Sequence, residues 1–379
     1  MNYYYNPVRT CQGYGSLTQL EKLTKACVSP ESTVLLLVWN ESVLEIPEIA
    51  EFVAQEKYHL VVQPFTASNP ELTQLYEMYR HTRMLNVGLV IAIGGGSVLD
   101  VGKSLCCLYG KEIASEEDLR KMIRNKTYGS PVCPWIGVPT TAGTGSEVTC
   151  WATIWDSHNN AKYSVDTPEN YAYAALVDPT LAASMPLKLA VSSALDAVAH
   201  ATESYWAKAS NTVSKALALS AIRTIMGSID TLLENSGNED AHNAMAKGSM
   251  LAGLAFSNTR TTACHSISYP LTMQCHIPHG VAVSLLLGAP FPSLTNHLSA
   301  FPFLSTPRRS TPLINQATPV DLKTDLLLIS ATAPPNLTST NTRAQSMTLS
   351  VLTSLPTLPR ANTSISYPES EVQMTFQSR

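Results

Sequence analysis

Asp196 and His200 stand four residues apart inside Ser192-Ser193-Ala194-Leu195-Asp196-Ala197-Val198-Ala199-His200-Ala201, an otherwise apolar run. On a helix that interval puts both side chains on one face. A buried carboxylate is costly unless something neutralises it, and a cation held jointly with the imidazole would do so. Downstream, His265, His276 and His279 supply three more imidazoles. One carboxylate with two or three histidines suits zinc or ferrous iron better than magnesium or calcium, which favour all-oxygen shells. Taken singly, each histidine reads more readily as a satisfied structural residue than as a ligand, and the Asp196/His200 pairing brings the two readings level.

Two glycine-bearing loops offer a second chemistry. The apolar run 87–93 leads into Gly94-Gly95-Gly96-Ser97 and then into a helix-compatible stretch containing Asp100 and Lys103. Glycines let a backbone approach a pyrophosphate closely, and the unpaired amides and dipole of the next helix favour its charge. The spacing is not the GxGxxG of the Rossmann fingerprint. The second loop, 139–147, follows the apolar run 135–138 and carries Thr140, Thr141 and Thr144 beside Gly143 and Gly145. Its place after a buried strand puts it on the same sheet edge, where open α/β sheets bind ligands. An ordinary tight turn is the plain alternative for each loop.

The elements that must position these residues are legible as hydrophobic periods. Short apolar runs at 33–39, 58–62, 87–93 and 135–138 read as buried parallel strands, with amphipathic stretches such as 71–85 between them. Strands alternating with helices imply a parallel sheet covered on both faces. From about residue 186 the period changes to three-and-four, over 188–207, 212–234 and 241–255, which predicts a helical second domain. A chain of 379 residues also exceeds one ordinary core, which stops growing near ~250 to 300 residues. The expected division is a dinucleotide-binding α/β domain over 1–183, a helical metal-binding domain over 184–288 and an atypical tail over 289–379. No glycine occurs after Gly288, and 11 of the 24 prolines fall between 290 and 368. Such a composition lacks core-forming periodicity and reads as a shifted reading frame more than as the remaining helices of the domain.

The formal net charge of −4 shows no basic run, so nucleic acid and anionic membrane are not expected partners. No leader-like N-terminus and no run of roughly 18 apolar residues is evident, which predicts a cytoplasmic protein. Eight cysteines without a CxxC pair predict buried thiols rather than a zinc knuckle.

Taken together, Gly94-Gly95-Gly96-Ser97-x-x-Asp100-x-x-Lys103, the 139–147 loop and the D-x-x-x-H plus two-His arrangement resemble the iron-dependent (group III) alcohol dehydrogenases. The resemblance runs from about residue 6 to 288. It implies the dehydroquinate-synthase-like fold: an N-terminal Rossmann-like parallel-sheet domain and a C-terminal helical metal-binding domain. It also implies reduction of a small aldehyde by NADH or NADPH beside Fe²⁺, with Zn²⁺ as the other candidate, in a homodimer or larger homo-oligomer. The implied metal ligands are Asp196, His200, His265 and His279. The implied cofactor contacts are Asn40, Gly94, Gly95, Gly96, Ser97, Asp100, Thr140, Thr141, Thr144, Lys162 and Leu176 of the Leu176-Val177-Asp178-Pro179 turn. Within the family, the segment 255–270 looks most like phosphonoacetaldehyde reductases. That match makes Arg260 and Trp151 candidate substrate contacts, with a structural ion pair as the alternative for Arg260.

Two positions depart from the family pattern. Many members carry a second histidine four residues after the third ligand as a proton relay, and here that residue is Tyr269. Tyr269 and His276 are therefore the candidate proton donors. Asn40 stands where NAD-preferring members often have an acidic residue that repels a 2′-phosphate. Rival readings are a zinc glycerol-dehydrogenase-like enzyme, a lyase of the same fold, and a nucleotide-binding remnant without turnover.

Overall fold

The computed structural model describes residues 3–275 and 277–287, so His276 and the tail expected over 289–379 lie outside the described residues. Eight strands are present among the described residues: β1 (Arg9–Gln12), β2 (Thr33–Val38), β3 (His59–Pro64), β4 (Leu89–Gly94), β5 (Trp135–Pro139), β6 (Trp151–Asp156), β7 (Ala161–Asp166) and β8 (Ala174–Val177). The helices α1 (Leu20–Cys27), α2 (Pro47–Ala54), α3 (Leu72–Thr82), α4 (Gly96–Leu108), α5 (Glu116–Arg124) and α6 (Pro179–Ala183) alternate with them. Helices α7 (Leu187–Trp206), α8 (Thr212–Glu234), α9 (Glu239–Thr259), α10 (Ala263–Cys275) and α11 (His279–Leu287) follow.

Six strands form one sheet in the order β1-β8-β5-β4-β2-β3, every pair parallel. The period of two along β2 explains why both faces are covered. Leu35 and Leu37 enter a core with residues of α3, α4 and α5, while Val34, Leu36 and Val38 enter another with residues of α1 and α2. Strand β3 lies on one side of β2 and β4 on the other, so the chain reverses its direction of travel across the sheet there. The crevice beyond the carboxyl ends of β2 and β4 is where open sheets of this kind take a ligand.

Outside this sheet, β6 and β7 form an antiparallel hairpin in register from Trp151 opposite Asp166 to Asp156 opposite Ala161. Both strands are only partly apolar, and no continuous run announces them.

Helices α7, α8 and α9 pack on one another. Asn211 caps α8 by accepting from Val213 and Ser214 N–H while Ser214 Oγ accepts from Asn211 N–H, and Asn238 caps α9 through Ala241 N–H. Ala218, Ala221, Ile222, Ile225, Ile229 and Leu232 give α8 its buried stripe. Helix α8 has the length and mean hydropathy, 1.4, of a membrane span, and packing within the described residues, chiefly against α7 and α9, buries 33% of that window. Residues up to Ser284 form one compact unit, and the last described residues, from Leu285 at the end of α11, fall outside it. Within that unit the sheet and the helices meet at Gly145, whose φ is 58° and whose added Cβ would lie 2.5 Å from the Cα of Gly253 in α9. Only glycine at both positions permits that approach.

Candidate active site

The second glycine loop closes over the first. Gly95 is the N-cap of α4 and Gly96 its first residue, so the amides of Gly96 and Ser97 precede the first turn bond, from Val98 N–H to Gly95 O at 3.0 Å. Thr140 N–H donates to Gly94 O at 3.0 Å. Thr141 and Thr144 stand directly against Gly95 and Gly96: a Cβ on Gly96 would lie 2.7 Å from Thr144 Cγ2. The arrangement is an open helix N-terminus beneath threonine hydroxyls, and it can hold a pyrophosphate. Asn40 sits at the end of β2 and caps the following turn, its Oδ1 accepting from Ser42 N–H at 2.9 Å. That leaves its NH₂ group as the free donor.

Two expected cofactor contacts have other work. Asp100 accepts from Ser146 Oγ at 2.7 Å and from Thr153 N–H at 2.8 Å, so it ties α4 to the second loop and to β6. Leu176 is fully buried in the core beside Leu17 and Val138, which removes its side chain from any ligand. Lys103, also fully buried, donates to Thr149 Oγ1 at 3.0 Å and to Trp151 O at 2.8 Å, with Asp100 3.4 Å away. Burial pushes its ammonium pKa down against the pull of Asp100.

Glu147, 2% exposed, closes the second loop. Burial raises its carboxyl from the usual 4.5 to about 7, with its own backbone N–H and Lys103 opposing. The folded state therefore keeps a proton that the unfolded chain has released, so this group favours folding most at low pH and progressively less between about 4.5 and 7. Glu147→Gln removes the penalty. The variant's Tm relative to the parent's is expected to rise by several degrees from pH 5 to pH 8, reflecting about 2–3 kcal/mol. A pH-independent difference in thermal melts would show that the carboxyl is not the cause.

The metal-ligand candidates come from three helices. Ligand atoms of Asp196 on α7, His265 on α10 and His279 at the start of α11 all lie within 4.8 Å of one another. Asp196 Oδ1 and His265 Nε2 are 3.3 Å apart but not aligned for a hydrogen bond. Asp196 Oδ1, His200 Nδ1, His265 Nε2 and His279 Nδ1 are all buried without a hydrogen-bond partner. Three of these residues, Asp196, His265 and His279, bring their ligand atoms together, and such orphans are costly unless an electrophile takes their lone pairs, so the donor set fits a divalent cation. His200 is not in the tight group; its ring is stacked between Phe256, at 4.2 Å, and His265, at 4.3 Å. Burial pushes His200 and His279 down to about 4, with Asp196 opposing. His265 differs: burial lowers it, but Asp196 and Glu203 on its two sides carry it up to about 10. Asp196 itself, despite burial, is held well below the carboxylate range by the three imidazoles.

The hairpin supplies the wall that faces α10. Tyr269 meets Trp155 edge-on at 6.2 Å and lies parallel to His279 at 6.0 Å, with Lys162 Nζ 3.5 Å from its ring centroid. Burial raises the Tyr269 phenol, yet Lys162 and then His265 bring it below its ordinary value. Arg260 takes the structural alternative: it pairs with Asp166 at 2.9 Å and lies on the Trp151 ring at 3.9 Å. Trp151 in turn packs edge-on against Phe256. Sequence reasoning missed Glu203 and Phe256. The signal for Glu203 was available, since it falls seven residues after Asp196 on the same helical face.

Comparison with known proteins identifies the family. Residues 7–179 match the family profile for iron-containing alcohol dehydrogenase, and 190–295 match the C-terminal part of the Fe-containing alcohol dehydrogenase family. A long-chain-alcohol dehydrogenase 1 of Geobacillus thermodenitrificans is 32% identical over 73% of this chain and 69% of its own. A sulfoacetaldehyde reductase of Bilophila wadsworthia is 31% identical over 61% of this chain, the match spanning only 58% of that enzyme. Among solved structures, a sulfoacetaldehyde reductase from Bifidobacterium kashiwanohense in complex with NAD⁺ superimposes with a TM-score of 0.67. It is 26% identical and covers 76% of this chain and 75% of its own. With its parallel sheet, its glycine loop at the head of α4 and its buried Asp and His cluster, the chain belongs to the iron-containing alcohol dehydrogenase family.

Proposed function

We propose that the protein reduces a small aldehyde to a primary alcohol, taking hydride from NADH or NADPH beside a divalent cation, Fe²⁺ in the first instance. The observation that carries this reading is the set of orphaned buried atoms on Asp196, His265 and His279 within 4.8 Å. We assign residues 1–183 to cofactor binding and 184–288 to the metal site, and place the protein in the cytoplasm, where its eight free thiols stay reduced.

The amides of Gly96 and Ser97 would hold the pyrophosphate, with Thr140, Thr141 and Thr144 around it. Asn40 offers its NH₂ group and no negative charge, so a 2′-phosphate meets no repulsion. Asp196, His265 and His279, joined by His200, would hold the cation, which when bound polarises the carbonyl oxygen as hydride reaches the carbon. The alcohol oxygen then needs a proton, and we assign it to Tyr269, a reading supported by a phenol made more acidic by Lys162. Tyr269→Phe is expected to lower kcat for aldehyde reduction by about 10²-fold with little change in NADH affinity. An unchanged kcat and solvent isotope effect would assign the proton to water.

The narrower substrate we propose is phosphonoacetaldehyde. The sulfoacetaldehyde reductases among its relatives favour an anionic group next to the carbonyl. Since Arg260 is engaged with Asp166, we assign that group to Lys162, which no carboxylate pairs among the described residues. The deciding experiment is turnover by the purified full-length chain with Fe²⁺, either nicotinamide cofactor, and phosphonoacetaldehyde, sulfoacetaldehyde or propionaldehyde. An anion site predicts a KM about tenfold or more lower for the charged substrates, the advantage shrinking with salt. Equal KM values would reject the anionic substrate, and no turnover of any aldehyde would reject the function.

A further inference from the structure

Glu203 is 0% exposed and takes no part in the steps above. Both of its oxygens are occupied. Oε1 accepts from the Thr262 hydroxyl at 2.7 Å and from Cys264 N–H at 2.7 Å, while Oε2 takes the Nδ1–H of His265. Trp206 Nε1 donates to the Thr262 hydroxyl at 2.9 Å, which turns that hydroxyl's proton toward Glu203. An ionised carboxylate can only accept. The Nδ1 of His265 is therefore held as a donor, which leaves Nε2, facing Asp196, as the nitrogen whose lone pair a cation would take.

We propose that Glu203 is the positioning residue of the metal site. It holds His265 in the Nδ1–H tautomer, with Nε2 aimed at the point shared with Asp196 and His279, and it fastens the start of α10 to the helix that carries Asp196. A carboxylate on the far nitrogen fixes the ring's orientation and makes it a stronger ligand. The inference rests on the reading of Asp196, His265 and His279 as metal ligands.

A carboxylate that merely capped α10 would behave differently. Glu203→Gln keeps the size and keeps an oxygen for Thr262 and Cys264, so the cap survives. Its NH₂ group, however, faces Nδ1, which must then accept, moving the ring proton to Nε2 where it blocks a cation. Metal-stripped full-length parent and variant would be titrated with Co²⁺ against a competing chelator, with NAD⁺ affinity and metal-free Tm measured alongside. Glu203→Gln is expected to weaken Co²⁺ binding by about 10- to 100-fold with NAD⁺ affinity and Tm unchanged. Thr262→Val, which removes one bond to Oε1 and leaves Oε2 on His265, should weaken it less than about tenfold. Parent-like Co²⁺ binding by Glu203→Gln overturns the proposal. So does a loss of Co²⁺ that accompanies collapsed Tm and NAD⁺ binding while Thr262→Val matches the parent. A parent that fails to bind Co²⁺ at all would instead reject the metal reading beneath it.

Discussion

Asp196→Ala and His265→Ala are each expected to strip the protein of bound metal and to lower kcat for aldehyde reduction by about a thousandfold or more. The magnitude follows from charge: polarising a carbonyl oxygen is worth several kcal/mol, and about 4 kcal/mol is three orders of magnitude in rate. Both residues belong to the group whose ligand atoms lie within 4.8 Å of one another, so deleting either leaves too few donors. The glycine loop belongs to the sheet edge and does not depend on them. NAD⁺ affinity should therefore change by less than about twofold. Metal analysis, equilibrium NAD⁺ binding and steady-state kinetics on the same preparations check this, and near-normal metal content with near-normal turnover in either variant would show that the site is misassigned. Folding is the confounding variable, and its direction is predictable. Asp196 is a buried carboxylate that the imidazoles hold ionised, so its removal from the metal-free protein strands buried histidines and costs stability, whereas metal-free Tm would separate that effect from ligand loss.

Gly96→Val should do the reverse, abolishing dinucleotide binding while leaving the metal in place. A Cβ at this position would lie 2.7 Å from Thr144 Cγ2 and 3.1 Å from its Oγ1, closer than ordinary contact allows. Valine must therefore push the second loop away from the head of α4, and its branches fill the space the pyrophosphate would use. Losing even one charge-assisted hydrogen bond costs about 1.5–3 kcal/mol. With at least one amide and one threonine hydroxyl displaced, NAD⁺ affinity should fall by about two orders of magnitude or more. Co²⁺ binding should match the parent's. A Gly96→Val protein that binds NAD⁺ normally would mean that the cofactor lies elsewhere on the sheet edge. The metal-ligand variants and Gly96→Val together form a crossed test, since the sheet loop and the helical cluster are expected to fail independently.

The same contrast separates what the chain's local chemistry dictates from what packing decides. Covalent geometry alone fixes that residues four apart on a helix share a face and that alternate residues of a strand do not. The D-x-x-x-H pair, the apolar runs that became β2, β3, β4 and β5, and the glycines at the head of α4 were therefore legible along the sequence. Strands β1 and β8 were not, being four residues each, and neither was the β6–β7 hairpin, whose mixed polar residues carry no continuous apolar signal. Side-chain roles that depend on a distant partner were also hidden. The family resemblance implied that Asp100 contacts the cofactor, yet Ser146 Oγ and Thr153 N–H occupy its oxygens. Arg260 was read both as an anion binder and as half of an ion pair, and only the proximity of Asp166, on another element, decided between them. Glu203 lay in plain view one helical turn past His200, but its purpose depends on where His265 falls, 62 residues on. The sequence by itself determined which residues could bind a metal and a pyrophosphate, because those chemistries are set by residue type and short spacing. Only the tertiary structure decided which of them meet, because contacts between distant segments depend on which helix faces the sheet and helical layers bury against one another.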